Sequence, residues 1–272
     1  MNRPGRVTYL ILTVWSFAVL GPIWILVVNS FKPQREILST PVNLPKNGTL
    51  DGYRSVLERG GFGALFRNSI LVTGISIIVV LLIGSMAGYA LGRWHSRTSE
   101  VLYFGFLAGL MIPIRLATID VVKMVERIGL LDRVWGLIPV YVASSLPIAV
   151  FVLTAFVKQL PEEMFEAARI DGATDWAVYR RIVLPLIRPA LSTVAVLAVL
   201  PIWNDIWFPL ILTRTRSQRT LMLGVSELFG QYTSDWTAIL AILTLAATPI
   251  LVLYLLLNRT FIQGLTTGAV KG

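Results

Sequence analysis

The chain has 272 residues, 55% hydrophobic and only 14% charged, with a mean hydropathy of +0.72. Soluble domains carry about 25% charged residues, so this composition excludes an ordinary water-soluble globule. The absence of cysteine excludes a disulfide framework and a thiolate metal site, and a single histidine, His95, argues against a His-based metal centre. A net charge of +9 fits basic loops beside anionic lipid better than it fits nucleic acid.

In chain order, a short basic segment ending at Arg6 leads into an uncharged apolar run over residues 7–28. Twenty apolar residues cross the hydrocarbon core, so this run is read as a first span. A cleavable signal peptide is the rival reading, but the run is too long for an h-region and no small-x-small cleavage site follows it. Residues 31–67 are polar and rich in turn signals, among them Lys32-Pro33, Asn47-Gly48 and Gly60-Gly61, with one short helix expected near 50–58. Further spans are expected at 68–91, 101–119, 135–157, 190–212 and 236–257. The third carries Arg115 near one end, where a long side chain can snorkel to the interface. An amphipathic helix follows it, with Val121, Val122, Val125 and Ile128 on one face. The fourth is interrupted by Pro139 and Pro147, the fifth by Pro201 and Pro209. A polar loop, 213–235, and a tail, 258–272, complete a six-helix, all-α membrane domain spanning 1–272, with both termini on one side.

Between the fourth and fifth spans lies the only motif-like polar stretch, 161–189. Pro161 suits a helix start, and Glu162 and Glu163 follow where a helix N-terminus favours negative charge. Met164, Phe165, Ala168 and Asp171 recur at helical spacing. Gly172 supplies a left-handed position, and Thr174 caps a second helix with an apolar stripe of Trp176, Tyr179, Ile182 and Val183. Leu184, preceding Pro185, is pushed from helical geometry and closes the unit. This helix–turn–helix is too polar to cross a bilayer and is expected to lie along its surface as a docking element. Charge does not fix its side: with cytoplasmic termini, eleven Lys/Arg fall inside and thirteen outside.

The succession Glu166-Ala167-Ala168, three residues, Gly172, nine residues, Ile182, one residue, Leu184-Pro185 resembles the EAA loop of ABC-importer permeases. The segments SFKP, RNS, GLLDRVWGL, PIWNDIWFPLIL and GLTTGAVKG extend the resemblance to the maltose-type carbohydrate permeases over nearly the whole chain. It implies a prokaryotic cytoplasmic (inner) membrane location, cytoplasmic termini, and an EAA loop on the cytoplasmic side. The implied partners are a homologous second permease, two ATPase subunits and an extracytoplasmic solute-binding protein, within the lipid bilayer and without nucleic acid. The sequence has no GxxxxGK[ST] phosphate loop, so the chain is not expected to be an enzyme or to bind a cofactor. ATP and magnesium would sit on the ATPase subunits. Glu166 would pair with a basic group there, Gly172 would allow the bend, and Phe165, Ala167, Ala168 and Ile170 would supply apolar contact. Asp171, Leu184 and Pro185 complete the motif. The tail, with Gly264, Gly268 and Lys271, is similar to one that reaches between the ATPase subunits; a frayed terminus is the plain alternative.

Asn204 and Asp205 are the candidate polar groups of the substrate path, about 21 Å along the fifth helix. Trp203 and Trp207, four residues apart, would stack a sugar from one helix face. The alternative is that Asp205 bonds a neighbouring helix and the tryptophans mark the membrane interface. Asn68, Ser69, Ser144 and Ser145 are weaker candidates, as small polar residues often serve packing. Arg115, Asp120 and Lys123 depart from the apolar pattern of similar permeases, which fits either an internal ion pair or a site for an anionic substrate. A secondary transporter would call for inverted repeats, and none is visible; a channel or scaffold subunit would need no docking motif.

Overall fold

The computed structural model describes residues 5–58, 61–94, 96–230 and 235–269, giving backbone alone for 228–230 and 256–269. Every regular element among the described residues is helical. The first, α1 (Arg6–Asn29), buries only Val28 and Asn29, so its apolar length faces outward. At its end the chain folds back around Lys32, which is fully buried. The Lys32 ammonium donates to Asn29 Oδ1 at 2.9 Å and to the Thr40 carbonyl at 2.7 Å, while the Asn29 amide donates to the Ile25 and Pro41 carbonyls, both at 2.7 Å. Two short helices follow, α2 (Gln34–Ser39) and α3 (Asp51–Glu58); the pattern around 50–58 announces the second only.

The scaffold is the pair α4 (Phe62–Arg93) and α7 (Leu137–Val157). Gly84, Gly88 and Gly92 form a stripe with a four-residue period on α4, facing Ala149, Leu153 and Val157 at the same period on α7. A Cβ added at those glycines would lie 2.9, 2.8 and 2.8 Å from the Cβ atoms of these partners. Small residues repeating at this spacing let two helix backbones touch, which is how apolar helices associate where water supplies no driving force.

Two expected spans are broken. In place of one helix over 101–119, α5 (Arg97–Met111) ends two residues before Pro113, a 3₁₀ turn covers Ile114–Ala117 and leads into α6 (Thr118–Arg127), and the segment Ile114–Arg127 leaves at 84°. Proline forces the preceding Ile112 into extended backbone and removes a donor from the next turn. In place of one helix over 190–212, α11 (Arg188–Trp203) stops at Asn204 and α12 (Trp207–Leu212) restarts beyond it. Conversely, α7 is not broken: Pro139 lies in its first turn, where amides lack intrahelical partners anyway, and the helix continues through Pro147. The expected polar loop 213–235 contains a further helix, α13 (Leu221–Gly230), and α14 (Trp236–Ala269) runs on beyond 257.

Among the described residues, four helical stretches are long and apolar enough to cross a membrane: Arg6–Asn29, Phe62–Arg93, Val134–Val157 and Trp236–Leu255. Two bent pairs raise that number to as many as six, namely α5 with the segment Ile114–Arg127, and Asp175–Leu186 with α11, which meet at 73°.

Candidate functional site

The polar stretch folds much as its residues dictate. In α8 (Glu162–Ile170), Pro161 precedes the first turn and Glu162 and Glu163 occupy it. Gly172 takes φ 73°, the left-handed backbone open to glycine, and the Thr174 hydroxyl accepts from the Ala177 amide at 3.3 Å to cap α9 (Asp175–Val178). The end of the unit differs from expectation. A π turn over Tyr179–Val183 runs into α10 (Leu184–Leu186), and Leu184 keeps helical dihedrals of −57° and −42°. The wide turn leaves room for the proline ring, so Pro185 continues the helix and the bend falls at Ile187.

The faces of α8 are divided. Phe165 and Ala168 are buried in this chain's own core beside Leu153, Val157, Tyr179 and Ile187, so they are not open to another subunit as the sequence suggested. Glu166 and Ala167 are exposed, and Ile170 is 87% exposed, an unusual state for isoleucine at the end of a helix. Asp171 is exposed as well. Arg93, the last residue of α4, fastens the helix: its guanidinium pairs with Glu162 at 2.8 Å and stands 4.6 Å over the Phe165 ring. α8 is thus tied to the end of α4 and packed into the core it shares with α7, with Glu166, Ala167 and Ile170 presented outward. Sequence reasoning missed Arg93, which looks like an ordinary flanking cation of a span.

The second site lies at the break between α11 and α12, where a cleft of about 430 Å³ is lined by Arg115, Tyr141, Ser144, Ser145, Asn204 and Asp205 among others. That volume lies within the range of small-molecule sites. Asp205, with a side chain 10% exposed, accepts from the Tyr141 hydroxyl at 2.9 Å and from the amides of Trp207 at 3.3 Å and Phe208 at 3.1 Å. It therefore caps α12 and binds α7 at once. Arg115, exposed on the 3₁₀ turn, reaches Asp205 at 4.0 Å, the outer limit of an ion pair. Asp120 and Lys123 are exposed and outside the cleft lining.

The tryptophans do not share a helix face, because the helix ends between them. Trp203 is buried and donates to the Ala246 carbonyl at 3.1 Å; Trp207 donates to the Thr118 hydroxyl at 3.1 Å. Asn68 and Ser69 are also away from the cleft. Asn68 donates to the Ser217 and Arg219 carbonyls at 2.8 and 3.0 Å, and Ser69 accepts from the Leu221 amide at 2.8 Å. Both pin the 213–221 segment to the start of α4. Gly264 and Gly268 belong to the helical backbone of α14 rather than to a loose tail, and Lys271 lies outside the described residues.

Residues 81–267 match the model of a family described as binding-protein-dependent transport system inner membrane component. An ABC transporter permease protein, ORF2, from Caldicellulosiruptor sp. (strain Rt8B.4) is 38% identical over 265 residues, 97% of this chain and 96% of the relative. The diacetylchitobiose uptake system permease protein NgcG of Streptomyces coelicolor is 32% identical over 272 residues, covering 99% and 90%. Among solved structures, a bacterial ABC transporter involved in import of the acidic polysaccharide alginate has the same fold, with a TM-score of 0.82 at 20% identity over 96% of this chain and 100% of that one.

Proposed function

Since the chain belongs to the family of binding-protein-dependent transport system inner membrane components, we propose that it is a membrane permease subunit of a carbohydrate ABC importer. In this reading it crosses the bacterial cytoplasmic membrane six times, each bent pair counting as one crossing, with cytoplasmic termini and α8 to α10 as the EAA loop on that side. It forms half of the path beside a homologous permease. Two ATPase subunits bind ATP and magnesium, and a solute-binding protein delivers the sugar at the end formed by the 213–235 segment. The uptake of diacetylchitobiose by a system with a 32% identical permease supports a saccharide cargo.

The observation that carries the reading is the division of α8. Its outer face offers Glu166, Ala167 and Ile170 to a soluble partner, and its inner face is packed into the core shared by α4, α7 and α11. In this reading, force applied to Glu166 and Ile170 passes to those spans through the packing of Phe165 and Ala168, as alternation between outward and inward openings requires. Gly172 makes the bend, Leu184 packs the second half of the element against the core, and Asp171 and Pro185, both exposed, complete the motif. The cleft at Asp205, with the hydroxyls of Tyr141, Ser144 and Ser145, offers the hydrogen-bonding groups that a sugar in transit needs.

The test is ATP hydrolysis by the reconstituted complex with its binding protein and a panel of neutral and acidic saccharides. Stimulation by one saccharide class is expected. Glu166→Ala is expected to reduce stimulated hydrolysis at least about tenfold, the loss of one charged hydrogen-bonded contact, while leaving the chain inserted. Normal ATPase association and transport in that variant would end the role assigned to Glu166.

A further inference from the structure

A second groove, of about 400 Å³, opens between α4, the π turn and the start of α11. Its lining combines apolar Leu81, Leu82, Leu184 and Leu191 with two cations, Arg180 and Arg188, and contains no acid. Among the described residues neither arginine has an ion pair or a side-chain hydrogen bond. Arg93 and Arg219, by contrast, are paired with Glu162 and Glu227.

We propose that this groove holds an anionic phospholipid, its phosphate gripped by Arg180 and Arg188 and its acyl chains laid along the leucines. The groove sets the two chemistries side by side at the start of α11. Arg188 is the first residue of α11, and Leu191 lies one turn deeper on the same helix. Leu81 and Leu82 lie about 17 Å along α4 from its end at Arg93, well inside the hydrocarbon. A cationic mouth at the helix end leading to an apolar trough fits a diacyl lipid; a free phosphate ion would have no use for the trough. Guanidinium groups match phosphate by paired N–H donors, and basic pockets between membrane helices recognise anionic headgroups in this way. Ser85 adds no free donor, since its hydroxyl is already engaged with Tyr179 at 2.8 Å and the Leu82 carbonyl at 3.1 Å. The lipid would sit against Arg180 of the π turn and against Leu184 and Pro185 of α10, so its occupancy would bear on the α8 to α10 unit.

The experiment is native mass spectrometry of the assembled transporter released from nanodiscs of phosphatidylglycerol and phosphatidylcholine. The wild type is expected to retain phosphatidylglycerol selectively. Arg180→Gln/Arg188→Gln is expected to retain it about twenty-fivefold less, each surface arginine contributing about fivefold. Arg181→Gln removes the same charge from the same turn but lies outside the lining, and is expected to retain lipid normally. Leu191→Trp fills the trough and leaves both cations, and is expected to lose the lipid; retention there would leave only a headgroup or phosphate contact and overturn the proposal. Equal retention by the double variant and wild type would overturn it too. So would the absence of selective retention in the wild type, as when a neighbouring subunit covers the groove. Melting temperatures of the variants in detergent, unchanged for the exposed arginines, separate loss of the site from loss of the fold.

Discussion

The carboxylate of Asp205 stands where a side chain has both structural and transport consequences, and substitution separates them. Asparagine caps a helix as well as aspartate does and keeps one acceptor oxygen for Tyr141, but it no longer attracts Arg115. Asp205→Asn is therefore expected to assemble with a stability change under about 1 kcal/mol, and to alter the KM or rate of uptake. Asp205→Ala leaves the Tyr141 hydroxyl and the start of α12 without their acceptor and is expected to cost about 2 kcal/mol in thermal unfolding. Unchanged uptake by the asparagine variant would reduce Asp205 to a packing residue. At this scale, the sequence reveals residues whose partners are close in the chain. Gly172 and Thr174 are of this kind, as turn and cap chemistry is complete within four residues. Lys32 is not, because its acceptors include the backbone carbonyl of Thr40, across a short helix, and no sequence pattern marks a carbonyl as free. Phe165 and Ala168 are apolar on any reading; whether their face meets the chain's own core or another subunit is decided by α4 and α7.

The glycines of α4 show how an element can be judged by what it touches. A Cβ at Gly88 would lie 2.8 Å from Leu153 Cβ and 3.1 Å from its carbonyl carbon, while one at Gly74, on the same helix, meets nothing within 4 Å. Gly88→Ala gains helix propensity yet forces α4 from α7, for an expected net loss of about 1–3 kcal/mol. Gly74→Ala gains the propensity alone and is expected to be neutral or to stabilise by up to about 1 kcal/mol. Thermal unfolding in detergent compares the two; equal effects would show that contact with α7 is not what places glycine at 88. Hydropathy makes α1, α4, α7 and α14 legible, since a long apolar run has few other uses. It is blind to direction, so the 84° bend at Pro113 falls inside what reads as one span. Pro201 and Pro209 do announce an interruption of the fifth span, which falls between them at Asn204, while Pro139 and Pro147 suggest a break that α7 does not make.

Across the whole molecule, α4, α7 and α11 run between two ends. Arg93, α8, Arg180 and Arg188 gather at one; Asn68, Asp132, Thr215 and the start of α13 gather at the other. The element order is legible in the sequence. The knitting of the far end is not, because it joins residues eighty or more positions apart. There Asp132 sits at φ 58°, a left-handed position that aspartate tolerates through local hydrogen bonding. Its Oδ1 accepts from the Arg214 and Thr215 amides, both at 2.7 Å, and its Oδ2 from the Thr215 hydroxyl at 2.6 Å; its own amide donates to the Leu212 carbonyl at 2.9 Å. The Thr215 hydroxyl first, then the two amides, hold the carboxyl below the usual carboxylate range. A pKa depressed by folding means that the latch is fully formed above the unfolded value, about 4, and lost only as pH falls through the lower folded one. Protection of the Arg214 and Thr215 amides against hydrogen exchange, corrected for intrinsic rates, is therefore expected to stay level from about pH 8 to about pH 5. Asp132→Ala is expected to abolish that protection while the amides of α7 keep theirs. If the proposed docking of the binding protein uses this end, the same variant weakens binding-protein-stimulated ATP hydrolysis and leaves basal hydrolysis unchanged. Protected amides in the alanine variant would assign the fixing of this segment to Asn68, Ser69 and Gln218, which hold it from α4 and from Val134.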